Sequence, residues 1–117
     1  MKLNHSELRK FAEKINQEIF LGILDLDALV IRTKRTEKQN ARAWYYHDDN
    51  IGFDVIVLIE AEHTSIEQAY ASIAHELIHY WQDSIAELNK LAHNNQTFRY
   101  WKYRICKLYG IQFTKYF

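Results

Sequence analysis

Residues 64 to 81 leave this chain little conformational choice. Ile66, Tyr70, Ile73, Leu77 and Trp81 recur at spacings of three and four, which aligns them on one face of an α-helix. Thr64-Ser65-Ile66-Glu67 ahead of them is a capping-box sequence, in which a hydroxyl and a carboxylate satisfy the open N–H groups of a first helical turn. Inside that helix the chain reads Ala74-His75-Glu76-Leu77-Ile78-His79-Tyr80-Trp81. Histidines four apart stand one above the other on a helix face, so both imidazoles can reach one metal ion at about 2.0–2.1 Å, the bond length of zinc. They fall beside the small Ala71, Ser72 and Ala74 at the edge of the apolar stripe, a placement suited to the floor of a cleft. Glu76 lies next to them and is available to take a proton from a water, the general-base role that an HExxH helix implies in metallopeptidases. The competing reading is two incidental histidines on a partly buried helix.

A catalytic zinc takes a third protein ligand and keeps one position open. Asp83 continues the face of His75 and His79, but it lies about 12 Å along the axis from His75, whereas donors to one zinc sit only about 3–4 Å apart. The chain therefore has to reverse and bring back a His, Glu or Asp. Beyond Glu87 there is no carboxylate side chain, and His93 is the only histidine. His93 precedes Asn94-Asn95-Gln96-Thr97, a turn and N-cap sequence, after which Phe98, Trp101, Ile105 and Leu108 mark another amphipathic helix ending at Gly110. His93 is thus the expected third ligand. Glu87 is the other candidate if the motif helix ends near Asp83, and a surface role is the bland reading of His93. Asp83, one turn after His79, is a candidate to hold a zinc histidine from behind.

The rest of the chain supplies the frame. Asn4-His5-Ser6-Glu7 caps a first helix with Leu8, Phe11, Ala12, Ile15 and Ile19 as its buried stripe and Gly22 as its stop. Residues 26 to 32 and 42 to 46 read as strands, and the nearly continuous apolar run from 53 to 59 is the strongest strand. Proline is absent and only three glycines occur, so little of the sequence resembles a linker. This order predicts an α+β domain spanning residues 1–117, a small and largely antiparallel sheet packed on the N-terminal, HExxH and C-terminal helices. At 117 residues and 48% hydrophobic side chains it can bury one core without disulfides, and the lone Cys106 reads as a small core or boundary residue. No apolar run reaches 18 residues and no export signal opens the chain, so a cytoplasmic protein with no membrane partner is expected. His47 and His63 read as surface residues in loops near strand ends, unless they flank the cleft.

With these residues in view, positions 75 to 82, followed by His93 and then Phe98, resemble the SprT-like metallopeptidase domain, the Spartan-type minimal zincins that act on DNA–protein crosslinks. The resemblance covers nearly the whole chain, though only HExxH is specific. It implies one Zn²⁺ on His75, His79 and His93, Glu76 as the catalytic residue, and a protein or peptide substrate. It also implies that a sheet edge beside the zinc pairs with extended substrate, with the strand ending at Ile59 as that wall. Two departures stand out. Phe98 follows His93 by five residues where the family has four, and Asn94 replaces the usual glycine. No zinc ribbon follows, as it does in many members; in compactness the chain resembles stand-alone members encoded by bacteria and phages.

Charge is balanced overall but unevenly placed. Residues 43 to 89 carry nine acidic and no basic side chains, whereas residues 32 to 42 carry five basic and one acidic and residues 90 to 117 carry six basic and none acidic. The two basic segments, 32–42 and 90–117, are candidate DNA contacts. Arg99-Tyr100-Trp101-Lys102-Tyr103-Arg104 interleaves cations with aromatics that can stack bases, although a solvated face above a core aromatic explains it too. Tyr46, Tyr100 and Tyr103 are the candidate oxyanion donors. Besides a metallopeptidase, the sequence admits a non-catalytic, zinc-stabilised regulatory module or a small nucleic-acid-binding domain.

Overall fold

Asn4 opens the first helix, its side-chain oxygen accepting from the Glu7 N–H at 3.1 Å. This helix, α1 (His5–Glu18), buries Leu8, Phe11, Ala12 and Ile15, the stripe expected from its spacing. In the computed structural model, which describes residues 2–33, 41–86 and 96–110, it is followed by β1 (Leu29–Arg32), β2 (Ala43–Asp48), β3 (Phe53–Leu58), α2 (Ile66–Ser84) and α3 (Gln96–Tyr109). Among the described residues the architecture is α+β, three α-helices and a small three-stranded sheet, the class that the element order predicts.

The exit of α1 is held by buried Asn16. Its amide donates to the Leu24 carbonyl and accepts from the Leu24 N–H, both at 3.0 Å, while the chain turns through left-handed Leu21 (φ 55°) and Gly22 (φ 79°). The first strand begins later than the sequence suggests. Residues 26 to 28 form one 3₁₀ turn because Asp25 caps it by accepting from the Asp27 N–H, and Arg9 then donates to the carbonyls of Leu26 and Leu29.

The sheet order is β1-β3-β2. The β2–β3 hairpin is antiparallel, as expected, and turns at Gly52, whose φ of 70° suits glycine and whose N–H returns to the Asp48 carbonyl at 2.9 Å. β1 pairs with β3 in parallel, so the sheet is mixed. With strands on both sides, β3 is central, which explains its continuous apolar run: Val55, Ile56, Val57 and Leu58 are all fully buried. It also corrects the expectation that the strand ending at Ile59 is a substrate wall. Both of its hydrogen-bonding edges are used within the sheet, so among the described strands the outer edges belong to β1 and β2. One sheet face, with Leu29, Tyr45, Ile56 and Leu58, joins the helices in the main core; the other carries Trp44, Val55, Val57 and Ile59.

α2 begins one residue later than the capping box implies. Ser65 is the N-cap, its hydroxyl accepting from the Gln68 N–H at 3.3 Å, and Gln68 reaches back to accept from the Thr64 N–H at 2.7 Å. The helix is buried on most sides because β2, β3, α1 and α3 all pack against it. His63, expected at the surface, is fully buried instead. Its Nδ1 donates to the Ile59 carbonyl at 2.8 Å, which leaves Nε2 to accept from the Ser72 hydroxyl at 2.7 Å. The neutral ring so ties the end of β3 to α2, and burial pulls its pKa down. Cys106 packs at the core boundary as expected, whereas Leu108, read as part of the α3 stripe, is 54% exposed. Among the described residues no helix is long and apolar enough to cross a membrane.

Candidate metal centre

The site grows out of the middle of α2, where tight packing fixes side-chain directions before any ligand is present. His79 and Glu76 are buried at 5% and 3% exposure, and His75 is the partly exposed member of the group. The helical spacing does what the sequence implies. His75 Nε2 and His79 Nε2 approach to 3.2 Å, and Glu76 Oε1 lies 3.6 Å from His75 Nε2. Two ligands at tetrahedral positions on a zinc with bonds of about 2.0–2.1 Å are separated by about 3.3 Å. The two nitrogens are therefore already spaced as donors to a single ion.

Two neighbours orient the imidazoles. Phe98 of α3, itself 1% exposed, lies with its ring centroid 5.1 Å from His75 and 5.2 Å from His79 and so covers both rings. Gln82, one turn beyond His79 and fully buried, places Oε1 2.7 Å from His79 Nδ1. Sequence reasoning assigns that place to Asp83, and the structure corrects it. Asp83 turns toward the sheet, where its carboxylate accepts from the Tyr45 hydroxyl at 2.7 Å, in a network that also holds Asp54 at 2.6 Å from the same hydroxyl. The signal that was available is position: Gln82 is three residues from His79, and its longer side chain can fold back where that of aspartate cannot.

The electrostatics of the group are unusual. Burial alone pushes the Glu76 carboxyl up to about 8, and its Oε2 is buried with no hydrogen-bond partner. An orphaned oxygen at this depth costs about 1–3 kcal/mol unless a cation or a donor meets it. His75, Glu76 and His79, whose donor atoms lie within 4.8 Å of one another, form the one cluster among the described residues that can hold a metal ion. Two imidazoles beside an unsatisfied carboxyl oxygen fit a divalent cation, whose charge would favour the ionised form of Glu76 that burial alone disfavours. They fit poorly as a mere structural cluster, which would leave the oxygen stranded.

The remaining expected residues lie away from this cluster or beyond the described residues. His93 and Glu87, the two candidates for a third ligand, lie outside the described residues, as does most of the basic segment 32–42. Tyr46 is on the sheet face away from α2, its hydroxyl accepting from Arg32 at 2.9 Å. Tyr100 and Tyr103 lie about 200° and 140° around α3 from Phe98 and are 50% and 65% exposed. The structure thus brings none of these three tyrosines to the histidines. His47 is on the surface as expected but within β2 rather than in a loop, with its Nδ1 3.0 Å from Asp54, whose carboxylate raises the imidazole pKa.

Compared with known proteins, the chain matches no family model and no curated protein.

Proposed function

We propose that the chain is a zinc-dependent metallopeptidase of the SprT-like kind, acting on peptide bonds through the α2 site. The observation that carries this reading is the buried, unpartnered carboxylate oxygen of Glu76 beside two imidazole nitrogens 3.2 Å apart. His75 and His79 would hold the metal, with His93 as the third ligand. When bound, zinc supplies Lewis-acid polarisation of the substrate carbonyl and makes a water more acidic. Glu76 takes the proton from that attacking water and returns it to the leaving amine as the C–N bond breaks. The dry surroundings of Glu76 strengthen every charge interaction there, and Phe98 keeps both imidazoles in place.

Metal content tests this directly. Wild-type protein purified without added metal should carry about one zinc per chain, and His93→Ala should lower its zinc affinity by about 10-fold or more. A metal-free wild type that stays folded and unchanged in chelator would refute the reading.

A second property has its own support. Arg99, Tyr103 and Lys107 form one exposed row on α3 and Tyr100, Arg104 and Leu108 the next, so aromatics and cations alternate along a solvent face while Trp101 turns inward to Phe20 and Trp81. This face supports a contact with nucleic acid, including DNA that carries the protein substrate. Binding of a fluorescent single-stranded oligonucleotide should weaken steeply between 50 and 200 mM salt, roughly 10-fold or more for a few phosphate contacts, and Arg104→Ala with Lys107→Ala should flatten that slope. Salt-independent binding, or none, would exclude it.

A further inference from the structure

What His79 Nδ1 does decides what Nε2 is able to do, because a neutral imidazole carries one proton on one nitrogen and a lone pair on the other. Nδ1 faces Gln82 Oε1 at 2.7 Å, and Nε2 faces His75 Nε2 at 3.2 Å. A carboxamide oxygen can only accept, so the proton sits on Nδ1 and the lone pair of Nε2 points at the shared position between the histidines. Turned the other way, with the amide nitrogen donating, Gln82 would place the proton on Nε2 and block ligation.

From this geometry we infer that Gln82 is a positioning residue, whose buried carboxamide oxygen holds His79 in the metal-binding tautomer. The inference rests on the metal site proposed above and adds a chemical property to it. Metal-bound histidines are often backed by a carboxylate, which makes the ligand more basic and lends negative charge to the metal. Gln82 orients the ring without that charge, at a site to which Glu76 already contributes an unpartnered carboxyl oxygen. A neutral backing group leaves the metal a stronger Lewis acid, which favours polarising a carbonyl over merely stabilising the fold. The burial of Gln82 and its position behind the ring make it unavailable to substrate, so its effect runs through His79.

The test joins a spectroscopic reading with a binding one. In metal-free wild type, ¹⁵N NMR of labelled histidine should show His79 protonated on Nδ1, and Gln82→Leu should remove that preference. Zinc affinity, measured by competition with a chromophoric chelator, should fall about 10- to 100-fold in Gln82→Leu and recover in Gln82→Glu, which restores an acceptor. Thermal unfolding of the same samples checks that the variants are folded, and the wild-type tautomer is readable without any variant. An Nε2-protonated His79 in metal-free wild type would overturn the inference, as would zinc uptake that Gln82→Leu leaves unchanged. Failure of wild type to take up zinc would instead overturn the metal reading, and the positioning role with it.

Discussion

Glu76→Gln is expected to keep both the fold and the metal while lowering peptide hydrolysis at least 10²–10⁴-fold, roughly the range supplied by a positioned general base. The substitution nearly preserves shape while removing the charge and the ability to accept a proton. Because burial pushes the carboxyl up to about 8 and its Oε2 has no hydrogen-bond partner, exchanging it for a neutral amide removes a group that the fold itself does not need. Thermal stability of the metal-free protein should therefore stay level or rise, whereas breaking a buried, well-paired ion would lower it. Cleavage of a quenched-fluorescence peptide, with zinc quantified in the same sample, separates the possibilities. Retained zinc with lost cleavage supports the base; lost zinc makes Glu76 a ligand instead. Retained cleavage would remove Glu76 from the mechanism.

Phe98→Ala should cost about 3–5 kcal/mol of folding stability, a large part of the roughly 5–15 kcal/mol that holds an ordinary domain together. Phe98 is 1% exposed and belongs to the main core, so truncation leaves a cavity between α3 and α2 that rigid helices cannot fully close. The same ring lies over His75 and His79, and its loss lets both imidazoles leave the spacing a metal requires. A fall of more than about 10 °C in the unfolding midpoint is expected, together with weaker zinc binding. Phe98→Leu, which fills most of the volume without an aromatic face, should recover more of the stability than of the affinity. Equal recovery of both would mean that Phe98 acts only as filler.

What was legible in the sequence is local in its physics. The cap and buried stripe of α1, the start of α2 to within one residue and the His75–His79 juxtaposition all arise within a few residues, because helical periodicity brings i and i+4 together wherever the helix sits. The α2 stripe was legible only in part: Ile73 and Leu77 are fully buried, whereas Ile66, Tyr70 and Trp81 are half-buried, because the elements around α2 cover its histidine face instead. β3 was legible for the related reason that a strand covered on both faces has to be apolar throughout. The parallel pairing of β1 with β3 was not, since strand direction is decided by where the chain between them travels and no residue of either strand records it. Nor was the burial of His63, whose polarity is tolerated only because Ile59 and Ser72 meet both ring nitrogens.

The same division runs through the site. His75, Glu76 and His79 were determined by the sequence alone, because their mutual geometry is a property of one helix turn. The choice of Gln82 over Asp83 behind His79, and of Phe98 as the cover, belongs to the tertiary structure. Tyr45 reaches across from the sheet and claims Asp83, and only the packing of α3 on α2 brings Phe98 over the rings. Competition among side chains for partners is settled by the elements that surround them, which is information that no stretch of a single helix contains.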